Sequence, residues 1–563
     1  MRLRGGLAIF FAIASILAGC SHAPTGEAPK PPDATTFYAA GKELLNQHHP
    51  DKAIPQFDKA IEINLSYADA YYSRGLARLQ TGDPNGALKD FNKVVEISPK
   101  RADAYFQIGR LFFAGGQTDP ALANLSHAVE LDPHLAEAYV DLGTIQQALG
   151  LSTEAKANFD KAIATDANCV SAFVGRGSLE RAGGDSPAAM SDFNKAIDLD
   201  PKNAVGFCQR GQLYDEQQKF QRAIDDFDSA LKADDKFAAA YADRGLVRLN
   251  EPEPDFKGAI ADFDQALKLD PKLAVAYDGR GYSRFKNTGE VQPVRADYDK
   301  AIELDPKLAS AYNHRGNLYH DLGAAYRNAD LERMAIADYD KAIKIDDGSA
   351  DARATQLYST YSNRGLAKYE LHDYDGAIAD YTLAIKHMPN QFGIFFNRAM
   401  AYRDKGDYTA ALADFDRVVR LNSTMAEAYA NRGETLVKAH KSEAAIADFS
   451  RAVELNPKMV NAFMDRGQAH ASRHEWQPAN EDFSQAIKLA PRAAQAYMNR
   501  GLVRILQMQD VEAQQDFDTA LKLDPQLKPN LDRRAAAAHA QLAKRIADQH
   551  AKAAGIPPRA SGK

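Results

Sequence analysis

Two stretches of the chain, AYYSRGLARLQTGDPNGALKDFNKVVEISP at residues 70–99 and AYANRGETLVKAHKSEAAIADFSRAVELNP at residues 428–457, follow one pattern. Aligned on their glycines, they extend to a register that recurs fourteen times, at Gly41, Gly75, Gly109, Gly143, Gly177, Gly211, Gly245, Gly281, Gly316, Gly365, Ala399, Gly433, Gly467 and Gly501. Most steps are 34 residues, and the three longer steps all fall between Gly245 and Gly365. A fixed period of this length is typical of stacked helix–turn–helix units.

The repeated pattern resembles the tetratricopeptide repeat, or TPR. That family has an aromatic residue at position 4, glycine at 8, alanine at 20, an aromatic at 24, alanine at 27 and proline at 32. The second repeat of this chain has at these positions Tyr71, Gly75, Ala87, Phe91, Val94 and Pro99. The resemblance covers residues 34–527 and implies an all-α fold, a right-handed superhelical TPR solenoid of about fourteen helix–turn–helix repeats. An apolar stripe beyond the last repeat predicts a C-terminal capping helix from Asn530 to about Ala554.

Composition excludes several classes of protein. The chain has 563 residues, a formal charge of −7 and 45% hydrophobic residues, which is enough apolar material for a packed core. Three cysteines cannot form a disulfide-rich scaffold, and the mild acidity offers no general attraction to nucleic acid. His470 and His474 are spaced as metal ligands but lack a third ligand, so no metal and no cofactor are predicted.

The N-terminus reads as a targeting segment. Arg2 and Arg4 precede an apolar run of eleven residues, 7–17, which is long enough for a signal peptide and too short to span a bilayer. The following Leu-Ala-Gly-Cys, ending at Cys20, resembles a bacterial lipoprotein box and implies a diacylglycerol- and palmitate-bearing cysteine. Ser21 favours the outer membrane, because in that family an aspartate there favours the inner one. The alternatives are ordinary secretion with an incidental cysteine and a membrane-anchored segment that is not cleaved.

These observations predict seven segments. They are a lipoprotein signal peptide at 1–19, a proline-rich tether at 20–33, a regular N-terminal repeat lobe at 34–249, irregular repeats with insertions at 250–357, a regular C-terminal lobe at 358–527, a capping helix at 528–554 and a flexible tail at 555–563. The insertions add seven and eight residues, each about two helical turns, so we expect lengthened helices rather than loops. They form either a joint or docking surface between lobes, or a neutral variation at a turn.

A charged pair recurs inside the repeats. Position 7 is arginine in eleven of them: Arg74, Arg176, Arg210, Arg244, Arg280, Arg315, Arg364, Arg398, Arg432, Arg466 and Arg500. Position 23 is aspartate in the same eleven: Asp90, Asp192, Asp226, Asp262, Asp297, Asp338, Asp380, Asp414, Asp448, Asp482 and Asp516. The other three repeats have Ala40, Ile108 and Leu142 with Gln56, Asn124 and Asn158. This coincidence predicts a partly buried, often bidentate Arg–Asp pair within each repeat, and disfavours an arginine ladder for anions.

Position 6, before the arginine, is expected to face the concave groove of a TPR superhelix. In the C-terminal half it is asparagine at Asn363, Asn397, Asn431 and Asn499, interrupted by Asp465. An amide can donate to and accept from a peptide unit of any sequence, and a similar asparagine ladder lines the groove of some TPR proteins. These residues therefore form a candidate peptide-binding site. Alternatively, asparagine is simply a solvent-tolerant residue of this repeat type. The lysine–asparagine clamp of chaperone-binding TPRs is not found.

The functional hypothesis combines these features. We expect a membrane-tethered interaction scaffold or adaptor in the bacterial cell envelope, facing the periplasm and binding an envelope protein or peptide in its groove. The alternative is a fixed structural subunit of a secretion, pilus or polysaccharide-export assembly. No catalytic activity, small-molecule substrate or nucleic acid is predicted, because the repeats and cap contain no nucleophile–base or metal set.

Overall fold

The computed structural model of the chain describes residues 33–347 and 354–553. These residues form 29 α-helices and one short 3-10 helix and include no β-strand. The chain separates into two compact units, which divide between Asp235 and Lys236, ahead of the lobe boundary predicted after residue 249. None of the described helices is both long enough and apolar enough to cross a membrane. The predicted signal peptide, Cys20 and the tail at 555–563 lie outside the described residues.

The first unit contains six helix pairs. Its first helices of each pair, the A helices, are α1 (Ala34–Asn46), α3 (Ala68–Gln80), α5 (Ala102–Ala114), α7 (Ala136–Ala148), α9 (Val170–Ala182) and α11 (Ala204–Glu216). Its second, or B, helices are α2 (Pro50–Ile63), α4 (Pro84–Ile97), α6 (Thr118–Leu131), α8 (Ser152–Thr165), α10 (Ser186–Leu199) and α12 (Phe220–Ala233).

The second unit contains eight pairs and a terminal helix. The A helices are α13 (Ala238–Asn250), α15 (Ala274–Asn287), α17 (Ala309–Tyr326), α19 (Ala354–Glu370), α21 (Phe392–Lys405), α23 (Ala426–Lys438), α25 (Val460–Ser472) and α27 (Ala494–Leu506). The B helices are α14 (Phe256–Leu269), α16 (Val291–Leu304), α18 (Ala329–Asp347), α20 (Tyr374–His387), α22 (Tyr408–Leu421), α24 (Ser442–Leu455), α26 (Trp476–Leu489) and α28 (Asp510–Leu523). A 3-10 turn, Pro525–Leu527, leads into α29 (Lys528–Ala553).

The first insertion lengthens helices, as its spacing predicted. Of the second insertion, residues 354–357 form the start of α19 and residues 350–353 lie outside the described residues. Helices α17, α18 and α19 have 18, 19 and 17 residues, whereas the other A and B helices have 13 or 14. The terminal helix α29 begins at Lys528, which is the first residue of the predicted capping segment and two residues before Asn530. Its stripe packs on the last repeat through Leu531, Ala535, Ala538, Leu542 and Ile546. That contact covers apolar surface which the final repeat would otherwise expose to water.

Close contact between the two helices of a repeat explains the glycine at position 8. In the twelfth repeat, a Cβ atom on Gly433 would lie 2.7 Å from Cε1 of Phe449, the fully buried aromatic of the facing B helix. The same kind of ring also reaches the next A helix, because a Cβ on Gly175 would lie 2.5 Å from Cε1 of Phe159 in the preceding repeat. Each ring therefore fills the space shared by its own repeat and the next, and burying it stabilises both by about 1.5–3 kcal/mol.

The predicted Arg–Asp partners lie together in all eleven repeats. Each arginine donates from Nε and from one terminal nitrogen to the two carboxylate oxygens of its aspartate, at 2.5–3.1 Å. The aspartates are only 2–7% exposed. In two of the three repeats without arginine, Ile108 and Leu142 are buried at the same place, whereas Ala40 in the first repeat is exposed. The pair therefore replaces an apolar contact between helices A and B.

The same arginines also bind the preceding repeat, a contact that the sequence pattern did not predict. In ten repeats the other terminal nitrogen donates to a residue one place after the buried ring of the repeat before: Asp58, Asp160, Asn194, Asp264, Asp299, Asp340, Thr382, Asp416, Ser450 and Ser484. The guanidinium also lies 5.3–5.8 Å from the aromatic ring at position 4 of its own helix in all eleven repeats. Lysine cannot make this combination of planar contacts.

We expect Asp448→Ala to destabilise the twelfth repeat by about 2–4 kcal/mol, because the partly buried guanidinium of Arg432 loses both bonds of its bidentate pair. Asp416→Ala is the matched control. It removes a single bond to the same guanidinium from a half-exposed carboxylate, and its expected cost is below about 1 kcal/mol. Native-state hydrogen exchange of the α23 and α24 amides measures both. Equal costs for the two substitutions would contradict the assignment of the stabilising role to the buried pair.

Candidate functional site

The four asparagines predicted to bind a peptide have different environments. Asn363, Asn397 and Asn431 are half-buried on α19, α21 and α23. Asn499 on α27 is 3% exposed, because α29 lies over it. Its Oδ1 accepts hydrogen bonds from Gln495 Nε2 at 3.1 Å and from Arg534 at 3.2 Å. Asn499 is therefore not available to a peptide in the groove, and the candidate site is limited to the first three asparagines.

The three remaining amides are not equally free. Asn431 donates from Nδ2 to the carbonyl of Glu427 at 2.9 Å, and its Oδ1 accepts from Arg403 at 2.9 Å. Asn363 donates to Oδ1 of Asn317 at 2.8 Å, which leaves its own Oδ1 as an acceptor. None of the described residues hydrogen-bonds the Asn397 amide. Asn397 and one side of Asn363 therefore offer hydrogen bonds that the fold does not use.

A cavity of about 230 Å³ opens beside Asn363, across the A helices of three consecutive repeats. Its lining includes Lys286, Tyr298, His314, Asn317, His320 and Asn363. The Tyr298 ring is fully buried, and its hydroxyl has no hydrogen-bond partner among the described residues. Burial raises the pKa of Tyr298, so the group is a neutral phenol that can donate or accept. A buried hydroxyl without a partner is costly unless a ligand or water satisfies it.

This cavity coincides with a change in the repeat sequence. The buried ring at position 24 is tyrosine in the eighth, ninth and tenth repeats, as Tyr298, Tyr339 and Tyr381. Ten other repeats have phenylalanine there and one has Leu125. The Tyr339 hydroxyl donates to Oδ1 of Asn317 at 2.8 Å, so this oxygen accepts two donors. The change from phenylalanine to tyrosine at position 24 is visible in the sequence and could have indicated this site. The repeat pattern treats both residues as the same aromatic position and so did not predict it.

Two histidines give the cavity its electrostatic character. Nδ1 of His314 lies 2.8 Å from Asp278, and Nδ1 of His320 lies 2.8 Å from Glu332. Burial opposes protonation of His314, but the charge and hydrogen bond of Asp278 outweigh it and raise its pKa. In both rings the carboxylate engages Nδ1, which leaves Nε2 for a ligand. Together with Lys286, they supply hydrogen-bond donors to the cavity, and Asp321 also lines it as an acceptor.

The interruption in the asparagine ladder is a half-buried carboxylate. Burial, and secondly the charge of Glu434, raise the pKa of Asp465 to about 6. The eleven arginines at position 7 contribute no free charge to this face, because their hydrogen bonds go to aspartates and to neighbouring repeats. Within the described residues, no group of three histidine, cysteine or acidic side chains is arranged to hold a metal ion.

We expect Asp465→Asn to stabilise the chain by about 1–2 kcal/mol at pH 7.5, since it removes a poorly solvated charge. The native state holds a proton on Asp465 more tightly than the unfolded chain, so the penalty grows as pH rises from 3.8 to about 6 and is complete above that. Thermal unfolding midpoints at pH 7.5 and 4.5 measure the difference. The exposed Asp518→Asn on α28 is the control. A gain for Asp465→Asn that is equal at both pH values would indicate packing rather than charge.

Comparison with known proteins agrees with the repeat architecture. A family model described as Tetratricopeptide repeat matches residues 38–102, 140–204, 208–274, 430–477 and 473–528, which is more than half of the chain. A model described as TPR repeat matches residues 109–150, 295–323 and 399–439, and a further Tetratricopeptide repeat model matches residues 316–348. No curated protein sequence matches the chain.

Several solved structures are similar to it. MamA is 27% identical over 31% of this chain and 96% of its own, with a TM-score of 0.29. YrrB, described as a TPR protein with an unusual peptide-binding site, is 23% identical over 38% of this chain and 97% of its own, with a TM-score of 0.31. The Cut9–Hcn1 structure of the APC/C is 13% identical over 87% and 96%, with a TM-score of 0.45. On the strength of the family models, the chain belongs to the tetratricopeptide repeat family.

Proposed function

We propose that this chain is a membrane-tethered protein–protein interaction scaffold of the bacterial cell envelope that binds a polypeptide along the A helices of its second unit. TPR proteins are generally interaction scaffolds without catalytic activity. The observation that carries the proposal is the cavity beside Asn363, where the buried Tyr298 hydroxyl lacks a partner. A peptide carbonyl or side chain entering this cavity would satisfy that hydroxyl.

The partner is proposed to be an extended segment. The unused groups of Asn363 and Asn397 stand on consecutive A helices at equivalent positions, 34 residues apart. An amide that donates and accepts can pair with a peptide unit whatever its side chain. The cavity at one end of this pair adds selectivity, because its lining offers both donors and the acceptor Asp321 to a polar side chain. A fixed structural subunit of a secretion, pilus or polysaccharide-export assembly remains the second candidate, since such a subunit would use the same surface permanently.

The site is tested by affinity capture from detergent-solubilised envelopes, with the Asn363→Ala/Asn397→Ala double variant beside the unchanged chain. We expect the variant to bind the captured partner at least about tenfold more weakly, because it loses two amides and the wall of the cavity. The control is Asn46→Ala/Asn390→Ala, which removes two exposed amides elsewhere. A partner retained equally by all three proteins would place its binding site on another surface.

The tether is proposed from residues 1–20, where two arginines, an apolar run and Leu-Ala-Gly-Cys precede the proline-rich segment. Acyl chains on Cys20 would hold the protein at a membrane without a spanning helix, and Ser21 favours the outer membrane. We expect Cys20→Ser to abolish incorporation of labelled palmitate and to shift the protein from the membrane to the aqueous fraction. Cys169→Ser is the control. Labelling that survives Cys20→Ser would contradict lipidation at this residue.

A further inference from the structure

A second recess lies at the other end of the same unit, between α29 and the last two repeats. Two adjoining cavities of about 490 and 410 Å³ share His474, Trp476, Leu506 and Gln541, so they form one continuous groove. We call it the cap groove. Trp476 and Leu506 provide apolar surface along it, and Trp476 is the chain's one tryptophan. The cap groove is therefore large enough to take a bulky side chain together with neighbouring backbone.

The charge in this groove is unbalanced. Arg534 is half-buried on α29, donates to Oδ1 of Asn499 at 3.2 Å and has no carboxylate partner among the described residues. This differs from the eleven arginines at position 7, each of which has a buried aspartate. Burial, and secondly the neighbouring charge of Arg533, lower the pKa of Arg534, in keeping with a cation that lacks compensation. A partly desolvated guanidinium with unused donors is a strong site for an anion.

The other charged side chains of α29 that line the cap groove are mostly positive as well. Lys544 and Arg545 line the groove beside Asp548, so with Arg534 there are three cations to one carboxylate. Arg545 donates to the carbonyl of Leu506 at 2.6 Å, which holds α29 against α27. The amides of Gln541 and Gln549 also line the groove and can pair with peptide groups. The cap groove thus combines apolar contact, positive charge and amide hydrogen bonds.

We propose that the cap groove binds a partner polypeptide that presents a carboxylate next to a bulky apolar side chain. The carboxylate pairs with Arg534, and the apolar side chain packs on Trp476. A planar guanidinium matches a carboxylate through two parallel hydrogen bonds, and Asn499 acts as a positioning residue that holds Arg534 in place. The carboxylate comes either from the C-terminus of the partner or from an acidic side chain. This site does not depend on binding at Asn363 and Asn397.

Trp476 supplies a direct test, because all tryptophan fluorescence of the chain comes from the groove. The probe is the peptide acetyl-Ser-Gly-Glu-Leu-Phe, titrated into the full chain. We expect a saturable change in Trp476 emission, and binding at least about tenfold weaker for Arg534→Gln. Arg533→Gln is the matched control, since it removes the same charge from the adjacent, exposed position on α29. It is expected to leave the affinity within about twofold of the unchanged chain.

Two modified probes identify the source of the carboxylate. The peptide with an amidated C-terminus loses the terminal carboxylate, and the peptide with glutamine in place of glutamate loses the acidic side chain. If one of these modifications weakens binding as much as Arg534→Gln does, the carboxylate that it removes is the one that pairs with Arg534. Circular dichroism of both arginine variants checks that α29 remains folded.

Three results would overturn the proposal. The first is no saturable change with any of the peptides. The second is an equal loss for Arg533→Gln and Arg534→Gln, which would indicate general charge attraction. The third is a response of Trp476 to phosphatidylglycerol vesicles, dependent on Arg534, without a response to the peptides. That last result would assign the cap groove to an anionic membrane surface. None of these results bears on the asparagine site, which the Asn363→Ala/Asn397→Ala variant tests separately.

Discussion

The guanidinium at position 7 is the interaction on which the array most depends. It joins helix A to helix B through a bidentate pair, joins most repeats to the one before through its third nitrogen, and lies near an aromatic ring on its own helix. A single group thus sets both the distance within a repeat and the distance between repeats. It can do so at a mostly buried site because the aspartate balances its charge and, in most of these repeats, all three of its nitrogens donate a hydrogen bond. Since these cations are paired with aspartates, the charge of the groove is set by other positions.

The candidate binding surfaces both arise where this regularity is broken. In the irregular repeats, tyrosine replaces phenylalanine, and the Tyr298 hydroxyl is buried without a partner. At the C-terminal end, α29 replaces a further repeat, and its half-buried Arg534 has no aspartate partner among the described residues. In each case a buried or half-buried polar group keeps hydrogen-bonding capacity that the fold does not use, and such a group is a candidate to bind a partner.

Much of the fold and the Arg–Asp pairing could be predicted from the sequence, because the same residue pattern recurs in successive repeats. Comparing the repeats of this single chain shows that arginine at position 7 always occurs with aspartate at position 23. The length of the insertions predicted longer helices. The contact to the preceding repeat was not predictable, since the residue after the buried ring is also polar ahead of Ile108 and Leu142, as Asn92 and Ser126. The burial of Asn499 depends on where α29 lies, which is a tertiary property that no periodicity within the repeats records.

The acceptor that each guanidinium takes from the preceding repeat has a consequence for how such a gene can change. Aspartate, asparagine, serine and threonine all fill this role along the chain. An arginine-bearing repeat therefore accepts many different predecessors without losing its hydrogen bonds. Unequal crossing-over that removes or duplicates a whole 34-residue unit would join two repeats that still fit each other. We therefore expect the number of regular repeats to vary between related proteins. The irregular repeats and the terminal helix are expected to be kept or lost as whole segments.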